Sequence, residues 1–132
     1  MSTEYQHLHF PSADGRLQLY ARDYPGDGPC LLMMHGLTRN SADFEALAAR
    51  LAGRYRVVVP DQRGRGRSDA DPDPANYAPA VYCGDMMGLV ARLGLDRPVL
   101  IGTSMGGLMA MVMGTMAPTA WRGIVLNDIG PV

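Results

Sequence analysis

Apolar and polar positions along this chain follow two periods that take turns. Unbroken apolar runs at residues 30–34, 57–59, 99–101 and 124–126 are bounded by turn-forming residues, and each predicts a strand buried on both faces. Pro60 is expected to end the second of these runs. Segments with helical spacing lie between them. Phe44, Leu47, Ala48 and Leu51 recur at i, i+3, i+4 and i+7, with Asn40 and Ser41 as capping residues and Gly53 as a stop. Tyr82, Met86, Leu89, Val90 and Leu93 mark a second amphipathic helix closed by Gly94, and residues 105–116 a third, ended by Pro118. Ahead of all these, residues 5–10 read as extended and 17–24 alternate, with Ser12, Ala13, Asp14 and Gly15 between them, which predicts an antiparallel hairpin at one sheet edge. Gly26, Asp27, Gly28 and Pro29 read as a loop leading into the 30–34 run. After the hairpin, strand and helix alternate. The expected fold is α/β, a mostly parallel sheet with helices on both faces.

One turn in this pattern carries chemistry. Gly102-Thr103-Ser104-Met105-Gly106 joins the 99–101 run to the helix after it, so a G-x-S-x-G pentapeptide stands in strand, turn, helix context. A serine on so sharp a turn needs small residues two before and two after it, because the helix crosses close to the strand there. Read blandly, Ser104 is a turn serine; in this context it is a candidate nucleophile. Three loops, at His35-Gly36-Leu37, at Asp61 and at the serine turn, follow predicted parallel strands, where open α/β sheets place their ligands.

Composition removes several alternatives. The 132 residues suffice for one domain with a core, and a net charge of -1 gives no reason to expect nucleic acid or an anionic membrane. Arg63, Arg65 and Arg67 stand close together but are bracketed by Asp61, Asp69, Asp71 and Asp73 and lack interleaved aromatics, so nucleic-acid binding is not expected. Residues 98–120 carry no charge, yet Gly102, Gly106, Gly107 and Gly114 with Thr103, Ser104 and Thr115 split the run into a strand and a helix, so no membrane span is expected. Cys30 and Cys83 lie in apolar segments and read as reduced core thiols. The residues Met1, Ser2, Thr3 and Glu4 show no secretory signal, and a cytoplasmic location is expected. Met105, Met109, Met111, Met113 and Met116 are read as packing residues, and no cluster has metal-site spacing, so no metal is expected. His7 and His9 are expected at the surface of a distant strand.

The pieces together resemble the α/β-hydrolase superfamily in its serine-nucleophile, esterase-like branch. The resemblance rests on His35-Gly36 after the third strand, on Asp61-Gln62-Arg63-Gly64-Arg65-Gly66-Arg67-Ser68-Asp69 after the fourth, on the serine elbow after the fifth, and on Asn127-Asp128-Ile129-Gly130-Pro131 after the sixth. It covers nearly the whole chain in the family's order. What it implies is a serine hydrolase acting on a small ester or related acyl substrate through a Ser104 acyl-enzyme, with no cofactor. It further implies an oxyanion hole made of the Leu37 and Met105 backbone N–H groups, and loop-shaping roles for His35, Gly36, Gly102 and Gly106. His35 is on this reading structural, because the general base must reach the serine from a separate loop. The glycines, arginines and aspartates of the 61–69 loop are implied to be structural as well.

In that family the acid follows the seventh strand and the histidine the eighth. Here no histidine follows His35, and Asp128 is a candidate acid, with a loop-shaping role weighed ahead of it. Residues 1–132 therefore read as the N-terminal part of an α/β-hydrolase domain, with the lid and strands 7 and 8 absent and the chain alone inactive. The alternative to an enzyme is a non-catalytic fragment or half-enzyme that pairs with another chain, or with itself, through the bare edge of the sixth strand. Esterases, thioesterases, amidases and lactonases share this scaffold, so the substrate stays open. Dehalogenases and epoxide hydrolases of the family use an aspartate where Ser104 stands, which disfavours both.

Overall fold

The computed structural model describes residues 4–127. Six strands, β1 (Gln6–Pro11), β2 (Gln18–Tyr24), β3 (Gly26–Met34), β4 (Gly53–Asp61), β5 (Val99–Thr103) and β6 (Gly123–Asn127), form one sheet in the order β1-β2-β4-β3-β5-β6. β1 and β2 make the expected antiparallel hairpin, and β2 also runs antiparallel to β4. From β4 across β3 and β5 to β6 every pairing is parallel. The helices α1 (Glu45–Leu51), α2 (Pro79–Leu93) and α3 (Met105–Met116) are the crossovers that parallel pairing requires.

The apolar runs are continuous because both faces of the sheet are covered. Along β3 the side chains alternate, Cys30, Leu32 and Met34 joining one core and Leu31 and Met33 the other. The first core takes Tyr82, Met86 and Leu89 of α2 with Met105, Met109 and Met113 of α3; the second takes Phe44 and Ala48 beside α1. Helices therefore sit on both faces, as the pattern implied.

Several boundaries differ from the pattern. β3 begins at Gly26, inside the expected loop, because its first residues already pair with Gly53 and Tyr55 of β4. β4 runs through Pro60 to Asp61, since Pro60 lies beyond Val58, the last residue paired with β3, and pairs with Ala21 of β2 on its other side. The first helical segment opens as a 3-10 turn, Ser41–Phe44, whose cap is Asn40, its side chain accepting from the Ala42 N–H. Gly94 closes α2 in the left-handed region at φ 61, as expected. Leu47, read as a core position, is 43% exposed; of the methionines read as packing, Met111 and Met116 are exposed on the outer side of α3. Cys30 and Cys83 are both free and buried, and burial raises both thiols, Cys30 to about 11. Among the described residues no helix is long and apolar enough to cross a membrane.

Candidate functional site

Parallel strands β3, β4 and β5 deliver their carboxyl-end loops to one rim of the sheet, and Ser104 stands there between β5 and α3. Its backbone, at φ 54 and ψ -115, lies in a region that residues with a Cβ rarely adopt. The surroundings impose it. The Ser104 N–H donates to the Asn127 carbonyl at the end of β6 (3.1 Å), and its carbonyl accepts from Gly107 (2.9 Å) and Leu108 (3.1 Å), which starts the helix. Thus one residue closes the strand and opens the helix, and its side chain is left exposed at the rim.

The glycines around it are required by close backbone approach. A Cβ on Gly102 would be driven into the Gly106 carbonyl, and a Cβ on Gly106 into the carbonyl of Met34. Helix α3 therefore crosses both β5 and the end of β3 at backbone contact distance. A Cβ on Gly36 would sit 3.4 Å from the Ser104 Cβ, so the loop carrying Leu37 lies against the serine. Among the described residues, neither the Leu37 N–H nor the Met105 N–H is taken by a backbone or side-chain acceptor outside its own helix.

His35 is fully buried and both its ring nitrogens are engaged. Nε2 accepts from the Gln62 N–H (3.0 Å), which leaves Nδ1 to donate to the Gly36 carbonyl (2.7 Å). Burial lowers its pKa, in keeping with a neutral ring. His35 thereby links the loop after β3 to the loop after β4, and neither nitrogen is left for Ser104. His7 and His9 are exposed on β1, four strands from β5, roughly 19 Å at ordinary strand spacing. Asp128 lies outside the described residues.

The loop after β4 is a second brace. Asp61 accepts from the Ser41 N–H (2.6 Å) and the Arg67 N–H (3.0 Å), holding the loops after β3 and β4 together. A Cβ on Gly66, already at φ 51, would collide with the Asp61 carboxylate. Arg63 points inward instead of out, fully buried between Asp85 of α2 and Asp71. The hydropathy pattern does not reveal this group. Its signal was Asp85, a carboxylate on the apolar stripe three residues after Tyr82 and four before Leu89, which calls for buried partners such as a cation.

Beside the Gly36 loop opens a cleft of about 420 Å³, lined among others by Gly36, Arg39, Asp43, Phe44, Leu47 and Thr103. Leu47 is exposed because it forms part of this wall. Arg39 and Asp43 pair in its wall through two contacts, Nε to Oδ2 at 2.8 Å and Nη2 to Oδ1 at 2.9 Å. Each holds the other charged, Arg39 raised by its hydrogen bond to Asp43, and Asp43 lowered by the same bond. Among the described residues no group of three or more His, Cys, Asp or Glu side chains could hold a metal ion.

Comparison with known proteins agrees with this geometry. Residues 29–131 match the family model described as the alpha/beta hydrolase fold. The 3-hydroxybutyrate-oligomer hydrolase of Cupriavidus necator is 40% identical over 121 residues, covering 92% of this chain and 41% of that protein. The 2-(acetamidomethylene)succinate hydrolase of Mesorhizobium japonicum is 37% identical over 117 residues, covering 89% of this chain and 41% of that protein. The crystal structure of an α/β hydrolase from Novosphingobium aromaticivorans is 47% identical, with a TM-score of 0.92 over 99% of this chain and 46% of that one. The chain thus spans about two fifths of the length of the curated relatives it matches. With the elbow, the braced loops and the strand order on one sheet, the chain belongs to the alpha/beta hydrolase fold family.

Proposed function

We propose that this chain carries the nucleophile and oxyanion hole of a serine hydrolase acting on a small acyl substrate. The observation that carries the reading is the strained, exposed Ser104 held against the Gly36 loop. Ser104 Oγ attacks the acyl carbonyl as its proton passes to a general base, and the carbonyl oxygen becomes an oxyanion. The N–H groups of Leu37 and Met105 receive that charge, with the N-terminus of α3 aimed at it. Collapse expels the leaving group, which takes up the proton, and water then releases the acyl group from Ser104. The base is a histidine supplied from outside these 132 residues, since His35 is fully engaged and His7 and His9 are remote. Neither a dehalogenase nor an epoxide hydrolase reading suits a serine at this position. The relatives' names, a 3-hydroxybutyrate oligomer and an acetamidomethylene succinate, describe carboxylates, and we extend to this chain an acyl substrate that bears one. Two buried free thiols favour a reducing, cytoplasmic setting.

The test is covalent. A fluorophosphonate should add to the Ser104 peptide of the purified, ester-hydrolysing protein, located by mass spectrometry. Turnover that survives with Ser104 unlabelled at full probe exposure would refute the assignment.

The outer side of this half-site also has a consequence for association. Among the described residues the outer edge of β6 is unpaired, and exposed apolar side chains flank it on both faces of the sheet, Ile124 and Leu126 on the side of α3 and Val125 on the other, with Leu108, Met111 and Met116 exposed on α3. The 132-residue chain is expected to pair with a second copy there, through β6 against β6. Sedimentation velocity should show a dimer or larger species at micromolar concentration, shifted to monomer by Val125→Lys.

A further inference from the structure

We propose that Arg39 binds the carboxylate of an anionic acyl substrate and sets its acyl carbonyl over Ser104, with Asp43 occupying the guanidinium fork until substrate arrives. The inference deepens the Ser104 reading above and rests on it. Arg39 and Ser104 flank one point: a Cβ on Gly36 would lie 3.4 Å from the Ser104 Cβ and 3.6 Å from the Arg39 Cγ. Arg39 therefore springs from the oxyanion loop itself, the stem of its side chain against the same glycine that the nucleophile touches. It lines the cleft, where among the described lining residues it is the sole cationic side chain, His35 being held neutral. Phe44 and Leu47, which line the same cleft, offer apolar wall for a short carbon chain.

The pairing with Asp43 shows what the fork accepts. Nε and Nη2 each meet one oxygen of the same carboxylate, at 2.8 and 2.9 Å, the two-point geometry by which arginine recognises carboxylates. Among the described residues Nη1 donates to no group, so an incoming carboxylate can engage it first and then displace Asp43 from the fork. The pair is exposed, 64% at Arg39 and 34% at Asp43, and an exposed pair yields readily to a competing carboxylate. A lysine would give charge without the fork.

Mono-4-nitrophenyl succinate and 4-nitrophenyl butyrate present similar acyl lengths with and without a terminal carboxylate. With the ester-hydrolysing protein, this chain together with the residues that supply its base, Arg39→Met should lower the ratio of kcat/KM for the charged over the neutral ester by about 10- to 100-fold, the scale of a charge-assisted bidentate contact. Asp43→Asn should raise that ratio a few-fold by freeing the fork. A ratio unchanged by Arg39→Met, with both esters slowed together, would mean that Arg39 only shapes the oxyanion loop and would overturn the proposal. Binding separates this from failure of the serine reading. Monomethyl succinate should bind the Ser104→Ala protein in calorimetry and shift the Gly36 amide in NMR spectra, and both signals should vanish when Arg39→Met is added. If the protein hydrolyses neither ester even with its base-supplying residues present, yet this Arg39-dependent binding persists, the serine reading fails and the carboxylate site stands. Absence of binding, or binding indifferent to Arg39→Met, overturns the site whatever the esterase activity.

Discussion

Replacing Ser104 with alanine is expected to lower ester hydrolysis by about 10,000-fold or more without unfolding the protein. The magnitude follows from losing the covalent step; removal of a triad serine elsewhere costs this much, and the residual rate comes from binding and the oxyanion hole. The fold should survive because Ser104 side-chain atoms make no hydrogen bond in capping α3, the connection being made by its backbone to Asn127, Gly107 and Leu108. A second substitution reads the strain directly. At φ 54 alanine is as constrained as serine, whereas glycine is not, so Ser104→Gly should be more stable than Ser104→Ala by about 1 kcal/mol despite glycine's greater freedom in the unfolded chain. Urea unfolding of the two inactive variants measures the difference. Equal stabilities would show that the elbow is relaxed.

How far this site could be read before folding depends on which forces wrote it. Ser104, Gly102 and Gly106 are legible because backbone proximity between α3, β5 and β3 admits only hydrogen at two fixed offsets. His35 was legible as structural only through its place in a family; the reason, a ring pinned by Gln62 and Gly36, lies in contacts across 27 residues that no local pattern encodes. Strands buried on both faces announced themselves as apolar runs, while their ends did not. Gly26 and Pro60 look like breakers, yet each lies within a strand because tertiary pairing at β4 overrides local preference. Leu47 fitted the helical stripe and nevertheless lines the cleft, 43% exposed, while Ala48 of the same helix is buried. No sequence pattern singles out Arg39; only the fold, which sets its stem against Gly36 beside Ser104, does so.

Substituting Arg63 with methionine is expected to bring the protein close to unfolding at 25 °C. Arg63 is fully buried, and it grips Asp85 with two bonds, Nε to Oδ2 at 3.0 Å and Nη2 to Oδ1 at 2.8 Å, while Nη1 reaches Asp71 at 2.8 Å. Asp85 also accepts from the Ala13 N–H, and Asp71 from Arg16 and Asn76, so one guanidinium joins the β1–β2 turn, the loop after β4 and α2. Methionine fills the volume but leaves the Asp85 carboxylate buried without its cation, a loss of about 3–5 kcal/mol where both charges are fully desolvated. Set against the roughly 5–15 kcal/mol that holds a domain together, this is a large fraction. Because a whole buried ion group can be exchanged for apolar side chains at little cost, adding Asp85→Leu should return much of the stability, with calorimetric melting as the measurement. A melting temperature left unchanged by Arg63→Met alone would mean the cluster is hydrated. The same cluster sets an acid limit. Hydrogen bonds from the Asp73 N–H first, then Asn76 and Arg16, hold the Asp71 carboxyl down from 3.8 to about 2. A depressed folded-state pKa gives stability that is complete above the unfolded value and is lost as protons bind, so the contribution of Asp71 should disappear between about pH 4 and pH 2. Asp71→Asn should therefore flatten the stability curve over that interval and lower it above pH 4, whereas a substitution outside the cluster leaves the shape of the curve unchanged.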